Sequence, residues 1–184
     1  MPNSMSQLED ALWRATMIVL GYDPDTDNQE IQKRVRINWP LSETGSPNWK
    51  REENTVFIQI QPIGEPYSEL SDITHEYDSN NDSLKEKVSY HRSFEISWIC
   101  YGPEAFETAD TIRIGVMREN IRAFLKTHSV AIMPHLRMSN RIPEQDATGE
   151  WWNRYDTTGQ FYERVTRSYE EDFIDKMPVI NIIR

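Results

Sequence analysis

Ser93-Phe94-Glu95-Ile96-Ser97-Trp98-Ile99-Cys100-Tyr101-Gly102-Pro103 is the stretch that decides the fold. Phe94, Ile96, Trp98 and Cys100 alternate with Glu95 and Ser97, the period-two pattern of a strand with one buried face. Ile99 and Tyr101 make its far end apolar on both sides. Gly102-Pro103 breaks the strand, and proline suits the opening turn of a helix because its missing N–H has no partner there anyway. Glu104 and Glu107 then place negative charge at the positive end of a helix dipole. Ala105, Ala109, Ile112 and Val116, widened by Phe106, Met117, Ile121, Phe124 and Leu125, form one apolar helical stripe. Lys126 and His128 supply cations for the last turn. The spacing predicts one long central helix of about 23 residues, about 35 Å at 1.5 Å per residue, lying across a sheet.

Working outward, Ser6-Gln7-Leu8-Glu9 fits a capping box. Leu8, Ala11, Leu12, Ala15, Ile18 and Val19 continue it as an N-terminal helix over about residues 6–20, with Gly21 as its stop. Asp23-Pro24-Asp25-Thr26-Asp27 resembles the start of a calcium loop, but Asn28, Glu30 and Arg34 occupy positions where that loop needs Gly, an apolar residue and Glu. It reads as an acidic turn before a short helical piece. Val35–Trp39 and Thr55–Gln61 alternate as strands, and the second is expected to pair antiparallel with Ser93–Tyr101. Two extended loops are expected, at about 40–53 and 65–87; loops of that length are uncommon without a function. Past the central helix, Ala131–Met138 reads as a strand, 141–150 as a loop, Asp156-Thr157-Thr158-Gly159 as a turn, Gln160–Tyr169 as a strand, Glu170-Glu171-Asp172 as a solvated turn and Met177–Ile183 as a closing strand. The expected class is α+β: a single domain over 1–184, with an antiparallel or mixed β-sheet, an N-terminal helix and one long central helix packed on it.

Composition narrows the function classes. At 184 residues the chain can bury a core without disulfides. Its net charge of −10 argues against an affinity surface for nucleic acid or an anionic membrane. The single Cys100 falls on the core face and points to a reducing compartment. No apolar run approaches the length of a membrane span, and no basic segment followed by an apolar one marks a signal peptide.

Catalytic patterns are missing from the sequence. The four histidines, 75, 91, 128 and 135, show no metal-ligand spacing. There is no GxSxG, no phosphate-cradling glycine loop and no Walker lysine. No enzyme activity, cofactor or metal is therefore expected. Trp151-Trp152 with Tyr155 could anchor a protein interface or a sugar site; the simpler alternative is that one Trp faces the core and the other covers a sheet edge.

Tyr101-Gly102-Pro103, Ala109-Asp110-Thr111-Ile112-Arg113, Arg141-Ile142-Pro143-Glu144 and Trp151-Trp152-Asn153-Arg154-Tyr155-Asp156, closing with Phe161, occur in an order and separation that resembles the neck or tail terminator proteins of tailed bacteriophages. The likeness covers roughly residues 30–184, and its motifs are structural. It implies a virion protein forming a homo-oligomeric ring, commonly of six, at the head-proximal end of the tail. Such a ring ends tail tube growth and joins the tail to the connector or stopper proteins of the head. The resemblance further implies assembly in the host cytoplasm and passage of genome DNA through the lumen without specific binding. A lumen sharing the net negative charge would repel phosphate and let DNA slide. A ring interface is heterologous; Trp151, Trp152, Tyr155, Tyr67 and Tyr77 are its expected residues. The alternative reading is a non-viral cytosolic domain that binds peptide or carbohydrate through the Trp pair and a sheet edge.

Overall fold

The computed structural model describes residues 3–37, 49–50, 52–78, 83–145 and 151–171. In chain order these form α1 (Met5–Val19), α2 (Gln29–Gln32), β1 (Val35–Ile37), β2 (Thr55–Pro62), a 3-10 turn (Pro66–Glu69), β3 (Ser71–Asp78), β4 (Ser83–Tyr101), α3 (Ala105–Gly115), α4 (Glu119–Thr127), β5 (Val130–Ile132), β6 (Arg137–Met138), β7 (Ile142–Gln145) and β8 (Trp151–Glu171). All eight strands join one mixed sheet in a single α+β domain, as expected.

The two long strands organise the rest. β4 and β8 pair antiparallel without interruption from Leu84 opposite Glu171 to Tyr101 opposite Arg154. On the free side of β4, β2 takes residues 94–101 and β3 takes 83–90. On the free side of β8, β7, β6 and β5 follow one another along residues 151–163. β1 adds to β2 in the one parallel pairing among the described strands.

The expected core face is the real one. Phe94, Ile96, Trp98 and Cys100 are buried with Val56 and Ile58 of β2, Phe161 of β8 and the inner faces of α1, α3 and α4. A buried polar relay fixes α1 to the sheet: Trp98 Nε1–H donates to Thr16 Oγ1 at 2.9 Å, and the Thr16 hydroxyl donates to the Leu12 carbonyl at 2.8 Å. We expect Thr16→Val to cost about 1–3 kcal/mol in urea denaturation, because it strands the indole N–H in the core. The opposite face explains the doubly apolar end of β4. There Phe57, Ile99 and Tyr101 form a second cluster with Trp49, whose ring lies 4.5 Å from that of Tyr101.

Several expectations need correction. The single central helix is two. Val116–Arg118 interrupt it, and Arg118 is extended (φ −62°, ψ 146°). Gly115, a poor helix former, ends the first of them, and it lies so close to α1 that a Cβ would fall 2.4 Å from Val19 Cγ1. The capping box of α1 sits two residues earlier, with Ser4 as cap and Gln7 as its partner. Within the expected 65–87 loop, the described residues form the 3-10 turn, β3 and the start of β4, and 79–82 lie outside the described residues. The strand expected over 131–138 is split into β5 and β6, and β7 lies in the expected 141–150 loop.

Asp156–Gly159 does not turn; it lies inside β8. Thr157 is buried there and donates to the Ala109 carbonyl at 3.0 Å, while Leu136 packs over Gly159. Those turn-forming residues are held extended by neighbours far away in sequence. Glu170 and Glu171 likewise continue the strand. Most of the expected 40–53 loop, and all of Met177–Ile183, lie outside the described residues.

Candidate interaction surfaces

Beyond Phe94 the sheet narrows to a three-stranded arm made of β3, residues 83–92 of β4 and residues 164–171 of β8. Strand pleating divides it into two unlike faces. Register places Ile73, Tyr77, Leu84, Val88, Tyr90, Val165 and Tyr169 on the side that the helices cover farther along, together with Ser71, His75, Glu86 and Arg167. Asp72, Thr74, Glu76, Lys85, Lys87, Ser89, Thr166, Ser168 and Glu170 occupy the other side. None of the seven apolar or aromatic residues joins either core cluster. Ile73, Tyr77 and Tyr169 are 55%, 54% and 48% exposed. One face of the arm is thus polar throughout, and the other mixes exposed Ile73, Tyr77 and Tyr169 with buried Val165, the His75–Glu86 pair and Arg167.

A buried ionic knot secures the arm at its root. Glu163 is 1% exposed, on the core face between Phe161 and Val165. It accepts from Arg92 Nε at 2.7 Å, from Arg92 Nη2, and from the backbone N–H of Asn3 at 2.7 Å. Arg92 also donates to the Asn3 carbonyl, and the Asn3 amide donates to the His128 carbonyl at the end of α4. One carboxylate therefore joins the N-terminal segment, β4 and β8, and Asn3 extends the set to α4. The signal in the sequence is a Glu at a core-facing position of an alternating strand.

The five expected interface residues do not converge. Trp151 is 63% exposed at the start of β8, opposite Gln145. Tyr155, on the same face, is partly buried against the core, with the Phe106 ring edge-on at 5.4 Å. Trp152 lies opposite Glu144, and Tyr67 lies in the 3-10 turn. Tyr77 is near the far end of the arm, opposite Leu84. The ribbon separating Trp151 from Tyr77 runs on the order of 65 Å at about 3.3 Å per residue. Trp151 and Tyr77 thus lie near opposite ends of the β4–β8 ribbon, and the turn that carries Tyr67 lies between them at the root of the arm.

Among the described residues no group of three His, Cys, Asp or Glu side chains is placed to hold a metal. A groove of about 370 Å³ between α4 and β5 is lined by Glu119, Arg122, Leu125, Lys126, Val130 and Ile132 among others, with no Ser, Cys or His in its lining. Burial pushes the Cys100 thiol well above its ordinary pKa, with the Asp156 charge adding to the shift. Because the folded state holds that proton more tightly, the contribution is intact below the unfolded value of about 9 and fades as pH rises past it. We expect alkylation of Cys100 by iodoacetamide only after denaturation. The thermal stability of wild type should also fall more steeply than that of Cys100→Ala above about pH 9.

A family model described as phage neck terminator protein matches residues 6–184. The chain belongs to that family. Its role is accordingly structural, in the neck or tail of a virion, among other phage tail and head proteins. Membership sets aside the non-viral reading of the Trp pair. The match also reaches the N-terminal helix, beyond the span of the motifs quoted above. No curated protein matches the chain. Among the described residues of this neck terminator, no helix is long and apolar enough to cross a membrane.

Proposed function

We propose that this neck terminator assembles as a homo-oligomeric ring, of six copies as in the proteins it resembles, at the head-proximal end of the tail tube. There it stops tube growth and offers its other side to the connector or stopper proteins of the head, with genome DNA passing through the centre. The observation that carries this reading is the family match over nearly the whole chain. Exposed Ile73, Tyr77 and Tyr169 on one face of the arm support it, because apolar groups gathered on a surface mark protein contacts. Candidates near both ends of the ribbon also suit a protein that must meet neighbours and axial partners at once. Trp151, Trp152 and Tyr155 would serve the body end, and Tyr67 and Tyr77 the arm.

A stop codon at Trp98 in the parent phage tests the proposal, with lysates viewed by electron microscopy. We expect overlong tails without heads. Normal tails lying beside filled heads would keep the joining role and remove the terminating one. Intact infectious particles would overturn both.

A further inference from the structure

We propose that neighbouring copies of this chain join through the two open edges of the arm. In this arrangement the β8 edge of one copy, residues 164–171, pairs with the β3 edge of the next, residues 71–78, and extends one sheet across the subunit boundary. The inference rests on the ring reading above and names its interface.

Four observations lead to it. First, β4 lies in the middle of the arm with β3 on one side and β8 on the other, so both outer edges lack a strand partner among the described residues. Unpaired strand edges are templates for another chain. Second, both edges span the same stretch of β4: β3 pairs with residues 83–90, and residues 164–171 of β8 pair with 84–91. Their lengths therefore match. Third, joining the edges brings exposed Tyr169 of one copy beside exposed Tyr77 of the next, on the face that also carries exposed Ile73. Fourth, the charges complement each other. Asp72 on β3 and Arg164 on β8 share the polar face near the root of the arm. Both are exposed, and neither has an ion-pair partner among the described residues. Of the nearby acids, Glu76 pairs with Lys87, and Glu170 lies opposite Lys85.

Strand direction decides the symmetry. β3 and β8 are each antiparallel to β4, so they run parallel to one another. Copies related by rotation about a ring axis keep that sense, and a β8-to-β3 junction is then parallel and heterologous. A two-fold dimer would instead pair β8 with β8, or β3 with β3, antiparallel.

Cysteine pairs test the contact in phage particles. Thr74→Cys is combined in turn with Thr166→Cys, Ser168→Cys and Glu170→Cys, which lie on the same face and sample three registers. Within one copy β3 and β8 are two strand spacings apart, about 9.5 Å, beyond the roughly 7 Å Cα limit of a disulfide. Any bond therefore links two copies, and buried Cys100 adds no background. We expect oxidised tails to give a ladder of covalent oligomers for at least one pair and nothing for the single variants. Dimers from Ser168→Cys alone would overturn the proposal in favour of a two-fold contact. Silence from all three pairs, with the protein present at the tail end, would overturn it in favour of another occupant, such as residues 172–184. Absence of the protein from tails would count against the assembly reading instead.

Charge reversal is the second arm. Arg164→Glu should lower infectious titre at least tenfold while leaving the melting of the isolated chain unchanged. Adding Asp72→Lys should restore the titre to within threefold. Failure of that rescue, or no loss from Arg164→Glu, would overturn the contact.

Discussion

Arg92→Ala is expected to remove about 3–5 kcal/mol of folding free energy, a large fraction of the roughly 5–15 kcal/mol that holds an ordinary domain together. The reason is its partner. Glu163 is buried to 1% exposure, and Arg92 provides two of the three hydrogen bonds described to its carboxylate. Without the guanidinium, a carboxylate remains in the core with one backbone N–H to hold it. Replacing both charges by apolar residues of similar size, Arg92→Met with Glu163→Leu, should recover most of the loss, because no uncompensated charge is left. The knot also joins the arm to the body, so the single variant should loosen β3 and the outer halves of β4 and β8 first. Urea denaturation gives the energies, and hydrogen exchange gives the location. Equal losses from the single and the double variant would mean that the knot matters by packing rather than by charge.

Gly102→Ala is the second large expected effect, about 2–5 kcal/mol. Two costs combine there. Gly102 has φ +112°, a conformation that side chains resist. An added Cβ would also lie 2.7 Å from the Asn54 Cα and 2.8 Å from the Glu53 carbonyl oxygen, backbone atoms with little room to yield. Asn54 is itself engaged: its side-chain carbonyl accepts from the Glu104 N–H at 3.0 Å, and its amide donates to the Glu104 carboxylate at 2.7 Å. Pushing Asn54 aside therefore uncouples the start of α3 from the end of β4. Gly64→Ala is the control, with nothing within 4 Å and an ordinary φ, and should change stability by less than about 0.5 kcal/mol. A Gly102→Ala midpoint equal to that of the control would refute the crowding.

What the sequence made legible follows from the range of each signal. The core face of β4 shows in its period-two pattern because every second residue meets the same environment. Glu163 carries a signal of the same kind, an acid flanked by Phe161 and Val165 on one face, but its burial shows only in the fold. The helix break was not legible, because the apolar stripe from Ala105 to Leu125 runs through it, and the close approach of Gly115 to Val19 is a contact with another helix. Asp-Thr-Thr-Gly at 156–159 reads as a turn by local chemistry, and only Ala109 and Leu136 make it a strand. In the arm, Leu84, Val88 and Tyr90 alternate with Lys85, Lys87 and Ser89, yet the charged partner strand β3 hides the hairpin. Aromatic residues were recognisable as interface candidates from their type. Their separation along the ribbon came from the length of β8, which the false turn had cut short.

The uninterrupted pairing of β4 with β8 also limits how this chain can vary. Inserting or deleting one residue anywhere between Leu84 and Tyr101, or between Arg154 and Glu171, would turn every later side chain to the opposite face of the sheet. Phe94, Ile96 and Trp98 could not all stay in the core while Tyr77 and Tyr169 kept their side of the arm. Length changes among descendants of this gene should therefore avoid both strands and collect in the connections between elements. Within the strands, divergence should proceed by substitution alone. The spacing from Phe161 to Tyr169 should be kept even where neither residue is.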